Sequence, residues 1–241
     1  MNYIENPKTK GSGIKCVIPQ KGECPVKCPD CFFQSGRSFL EPLKDNLPNM
    51  IALDESEGYV IRVNDGNDSN VQREIVVATT EQYKHKFYNT SIPKDLESFN
   101  EPVVLTVNPG KNTDTEYCLL DPIPDSLMFV RYRVNMWNLG NMDYVIEHYT
   151  EADIPVVLTF MAYYSEDALG DFRDGDYTFR KRTLNSYWVA TQKAWDFALQ
   201  YHYENPLVYT CGKDANTFAC SRCGNCLREY YATRERMNND E

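Results

Sequence analysis

Short apolar runs separated by polar or helix-forming stretches set the rhythm of this chain. Segments rich in Val, Ile, Leu and aromatic residues at 14–18, 59–64, 85–90, 103–107, 127–135 and 154–163 predict six strands. Helical spacing between them predicts helices in part of 39–46, over 71–83, as a weak turn near 95–99, and over 141–152, where Tyr144, Ile146 and Tyr149 fall roughly on one face. The stretch 183–203 is the clearest helix by the same reading. Alternating strands and helices imply parallel pairing through right-handed crossovers, hence an α/β fold. Six such units make a curved or partial (β/α)6 barrel with its site at the strand C-terminal ends.

Polar residues recur at every second position inside the apolar runs. Arg62 and Asn64 share one face, as do Thr106 and Asn108; Arg131, Arg133 and Asn135 stand opposite Tyr132, Val134 and Met136, and Thr159 stands opposite Leu158 and Phe160. An antiparallel sheet would turn such a face to solvent. A parallel sheet with helices outside has no wet side, so the same residues then line an interior cavity and hydrogen-bond a polar ligand.

With 241 residues and 42% hydrophobic side chains, the chain can bury a sizeable core. One main body over 1–182 and an appendage over 183–241 are expected. The polar start carries no signal-peptide run, and no stretch approaches the roughly 18 apolar residues that span a bilayer, so a cytoplasmic protein with no membrane partner is expected. A formal charge of −10 disfavours nucleic acid. Lys84-His85-Lys86 and Arg180-Lys181-Arg182 are either solvated faces or a small anion site. His85, His148 and His202 are scattered and read as packed or surface residues.

Nine cysteines are hard to explain as disulfides in a reducing compartment, which leaves metal binding. Cys16 and Cys118 stand alone and read as packed thiols. Cys24-x3-Cys28-x2-Cys31 follows the first predicted strand. Structural zinc wants four ligands, usually as two pairs, and no second pair lies nearby in sequence. Three thiolates on one loop suit a 4Fe-4S cluster with one open iron.

That spacing, after the first strand of a six-unit α/β chain, resembles the radical S-adenosylmethionine superfamily. The resemblance implies that the amino and carboxylate groups of S-adenosylmethionine chelate the open iron. It further implies that the reduced cluster cleaves the sulfonium to methionine and a 5′-deoxyadenosyl radical that abstracts hydrogen from substrate. Two positions depart from the family pattern: Asp30 replaces the usual aromatic before the last cysteine, and Asn64-Asp65-Gly66-Asn67-Asp68 stands where a glycine-rich acidic motif is expected. Phe32 and Phe33 follow the cysteine instead, as cofactor contacts or as core. Asn64, Asp65, Gly66 and Asn67 either present acceptors to the cofactor's ammonium group or form a plain turn. Thr106, Asn108, Arg133 and Asn135 are cofactor or substrate candidates by strand position.

Near the C-terminus, Cys211-x8-Cys220-x2-Cys223-x2-Cys226 supplies four thiols. They match either ferredoxin-type ligation of a second 4Fe-4S cluster, as the family's C-terminal extensions frequently carry, or a four-cysteine zinc site. The leading expectation is a radical enzyme acting on a peptide or small metabolite, with an electron donor such as flavodoxin or ferredoxin as partner and no catalytic residue named. The alternative is a non-catalytic iron-sulfur or zinc protein acting in electron transfer or as an interaction scaffold.

Overall fold

The computed structural model describes residues 2–28, 31, 33, 38–109, 115–183, 186–212, 214–215 and 219–239. Asp30 and Phe32 lie outside the described residues. Six strands form where the alternation placed them: β1 (Ile14–Val17), β2 (Val60–Val63), β3 (Lys86–Thr90), β4 (Val103–Val107), β5 (Leu127–Val134) and β6 (Val156–Phe160). All neighbours pair in parallel and in chain order. The right-handed twist of parallel strands curls this sheet into a half barrel. Helices α1 (Arg73–Thr80) and α2 (Leu139–Thr150) cover its outside, bringing Val76, Val145, Ile146 and Tyr149 onto Val63, Leu105, Val130, Tyr132 and Leu158.

The inner face changes character along each strand. Val60, Phe87, Val104, Phe129 and Val157 pack into one apolar cluster, and two residues further along the same strands stand Arg62, Asn89, Thr106, Arg131 and Thr159. A bulge where β5 meets Val103 and Val104 turns both Met128 and Phe129 into the cluster. The lower interior is therefore dry and the upper interior polar.

Two expectations change beyond residue 160. The first concerns the helix over 183–203. Among the described residues of that stretch, Tyr187–Ala190 is a strand and Gln192–Leu199 is the helix. Tyr187, Trp188 and Val189 are aromatic or β-branched residues that favour a pleated surface. Thr191 then caps the helix, its hydroxyl accepting from the Ala194 N–H at 3.2 Å. We number these elements with their neighbours: β7 (Ala162–Tyr163), β8 (Tyr177–Arg180), β9 (Tyr187–Ala190) and α3 (Gln192–Leu199). The three strands make a separate antiparallel sheet, β7-β9-β8, so the expected boundary at 182/183 falls inside one sheet. The helix expected in part of 39–46 is the single turn Leu43–Asn46.

The second change is a seventh strand. β10 (Val208–Thr210) adds in parallel to β6 and extends the barrel wall. The final helix, α4 (Asn225–Asn239), then returns to the barrel, where Tyr230 is buried against the inner apolar cluster with Leu227 beside it. The Cys220 N–H donates to the Lys8 carbonyl at 3.1 Å, so the segment before β1 meets the cysteine-rich segment after β10. Among the described residues, no helix is long and apolar enough to cross a membrane.

Candidate functional site

At the C-terminal ends of the strands lies a cavity of about 470 Å³. Cys24, Cys28 and Cys31 stand on its wall, on the loop that leaves β1; so do Arg62, Asn64, Asp65, Gly66, Asn67, Thr106, Asn108, Arg133 and Phe33. Asn135 does not. It is buried in the turn into α2, where its N–H donates to the Asn138 side chain at 3.2 Å. The parallel topology thus collects on one wall what the sequence scatters over more than a hundred positions.

The cysteine loop is tight, with the Cys31 N–H donating to the Cys28 carbonyl at 3.2 Å. Cys28 Sγ lies 3.4 Å from Ser91 Oγ. Ser91 is in turn fixed by Asp68, whose carboxylate accepts from the Ser91 N–H at 2.7 Å, the Ser91 hydroxyl at 2.8 Å and the Thr90 hydroxyl at 2.7 Å. Asp68 therefore ties the β2 turn to the end of β3 behind the cysteines. Burial pushes the Cys24 thiol up to about 11; an N–H from Val26 counters this in part, and negative charge at Asp68, Cys28 and Cys31 adds to it. A metal arriving there must displace a proton.

The turn after β2 is packed into the protein rather than a solvent loop. Asn64 is 1% exposed, has a left-handed φ of 61°, and donates from Nδ2 to Ser69 Oγ at 3.2 Å. Its Oδ1 is buried without a partner, as are Asn108 Oδ1 and Arg62 Nε, all on residues lining the cavity. Buried polar atoms without partners cost about 1–3 kcal/mol each, so a polar ligand that completes them gains that much. At Gly66 a Cβ would stand 2.1 Å from the Phe33 ring, which needs the bare backbone. Gly66→Ala is expected to displace Phe33 or the turn and to cost about 1–3 kcal/mol of stability, read by urea unfolding. Unchanged stability would mean that the Phe33 ring gives way without cost.

The inner wall is built from arginines. Arg62 Nη2 reaches Asp65 Oδ2 at 3.3 Å, and Asn6 donates to the same oxygen. Burial disfavours the Arg62 cation, but Cys16, Asp65, Cys226 and Cys220 outweigh it and hold the guanidinium above its ordinary value. Arg131 Nη1 donates to Asn89 Oδ1 at 3.0 Å and Thr106 Oγ1 at 3.3 Å. Thr106 is thereby a wall residue as well as a candidate contact. Arg133 Nε lies 2.8 Å from Met161 Sδ, and burial lowers its pKa, Cys31 opposing and Arg131 adding to the shift.

The second cysteine group opens into the same space, since Cys211 and Cys220 also line the cavity. Cys211 and Cys223 share a hydrogen bond that favours the Cys211 thiolate; burial opposes, and Arg131 and Lys8 support it. Asn225 Nδ2 donates to the Thr210 carbonyl at 2.9 Å and anchors the start of α4. Among the described residues, no three His, Cys, Asp or Glu side chains converge as ligands of a single ion would. Cys16 and Cys118 are buried core thiols. The histidines contact Tyr230, the Leu120 carbonyl and Asp143, respectively, away from the cavity.

Lys8, Arg62, Asp68, Ser91, Arg131 and Thr159 line the site without having been singled out as ligands from sequence. Arg62, Arg131 and Thr159 carried a signal, the period-two polar face. Lys8 carried none, because only tertiary contact with Cys220 brings it there. No family model, curated protein or solved structure matches the chain.

Proposed function

We propose that this chain is a radical S-adenosylmethionine enzyme whose catalytic cluster sits on Cys24, Cys28 and Cys31. The observation that carries this reading is the junction of that three-thiol loop with one cavity whose wall holds unsatisfied buried polar atoms at Arg62, Asn64 and Asn108. When bound, the reduced cluster and S-adenosylmethionine supply a 5′-deoxyadenosyl radical that takes hydrogen from a substrate. The chain's own part is to bind and orient. Asn64 and the Gly66 backbone offer acceptors and close approach to the cofactor, and Phe33 offers an apolar surface beside it. Asp68, through Ser91, holds the loop that carries Cys28. The apolar cluster and α4 close the lower interior and keep water from that side.

Cys211, Cys220, Cys223 and Cys226 are assigned a second 4Fe-4S cluster, with zinc as the other candidate. Anaerobically reconstituted protein should then hold about eight irons per chain, against about four irons and one zinc for the alternative. The open iron has its own test. Adding S-adenosylmethionine to the dithionite-reduced protein should change the electron paramagnetic resonance spectrum of the first cluster, and an unchanged spectrum would contradict coordination there.

A further inference from the structure

We infer that the cavity takes a substrate carrying an oxyanion, a carboxylate or phosphate group, held by Arg131 and Arg133; assigning that anion to the substrate rests on the radical-enzyme reading above. In a chain of net charge −10, the described residues that line the cavity include Lys8, Lys27, Arg62, Arg131 and Arg133 and, as carboxylates, Asp65 and Asp68. Each of these carboxylates already has a partner, although Asp65 Oδ1 stays buried without one. Asp65 pairs with Arg62, and Asp68 accepts from Thr90, Ser91 and the Asn70 N–H.

The two remaining arginines have no such partner. Arg131 spends Nη1 on the neutral oxygens of Asn89 and Thr106, and Arg133 spends Nε on a thioether, a weak acceptor. Neither forms an ion pair with a described carboxylate, although both sit on the same face of β5, two residues apart. Like charges at that spacing in a low-dielectric wall repel, and each guanidinium keeps donors to spare. The nearby sulfurs of Cys31 and Cys211 share their charge with the metals proposed for them. An oxyanion received between the two guanidiniums removes the repulsion and uses the spare donors in the forked geometry that suits carboxylate and phosphate.

S-adenosylmethionine has a carboxylate of its own, so the experiment separates the two sources. Inorganic phosphate is titrated calorimetrically, at constant ionic strength and without air, into the reconstituted, unreduced full chain, with and without saturating S-adenosylmethionine. Saturable binding is expected in both cases, weakened about tenfold or more by Arg131→Met and by Arg133→Met, and left unchanged by Arg173→Met, an exposed arginine outside the cavity that pairs with Glu166 and Asp174. Absence of saturable binding to the unmodified chain overturns the inference without recourse to any variant. Binding that disappears when S-adenosylmethionine is present assigns the arginines to the cofactor and overturns it equally. So does full affinity in both folded arginine variants. Product analysis in parallel keeps the two readings apart: 5′-deoxyadenosine without phosphate binding sinks the anion site alone. Phosphate binding without 5′-deoxyadenosine supports the anion site and sinks the radical reading.

Discussion

Cys28→Ala should abolish the first cluster's absorbance and 5′-deoxyadenosine formation while leaving the second cluster's iron in place. Cys28 is one of three sulfurs on a single loop, and its neighbour Ser91 is held by Asp68 from a different part of the chain. Loss of a directly ligating sulfur has no substitute in that shell. Changes one shell further out in metal sites already cost about 10–100-fold, so the activity loss should exceed about a hundredfold. Iron and sulfide analysis with product chromatography reads both effects. Loss of all iron would mean that the two cysteine groups, which open into one cavity, share one site.

Tyr230→Ala should produce the largest loss of stability, about 3–5 kcal/mol by urea unfolding. Tyr230 is 1% exposed and fills the space between the inner ends of β2, β3, β4, β5 and β6, its ring 6.3 Å from Phe87 and its hydroxyl 3.3 Å from His85 Nδ1. Removing it leaves a cavity among large apolar side chains and frees α4 from the barrel. A cost below about 1 kcal/mol would mean that α4 is only loosely attached. Because Cys226 lies in the first turn of α4, the same substitution should also lower the metal content of the second group.

Period-two alternation was a sufficient guide to six strands and to the polar interior, because burial on both faces of a parallel sheet leaves polar side chains no other destination. Arg62, Thr106, Arg131 and Thr159 meet around one cavity as that alternation implies. The stretch 183–203 misled because Trp188, Val189, Ala194, Trp195 and Ala198 supply apolar residues that fit a helical stripe as well as a strand. A local preference of Tyr187–Ala190 for pairing with β8 and β7 decided the matter through tertiary contact. β10 was hidden for a different reason. Three residues cannot show a period, and its identity as a wall strand depends on pairing with β6. The cysteines themselves were legible by spacing, but their common cavity was not, since nearly two hundred residues separate Cys24 from Cys220.

The most direct measurement is anaerobic incubation of the reconstituted chain with S-adenosylmethionine and dithionite. 5′-Deoxyadenosine and methionine should accumulate together, and neither should form with Cys28→Ala. A well-formed cluster that binds S-adenosylmethionine yet yields no 5′-deoxyadenosine would contradict the proposed radical chemistry.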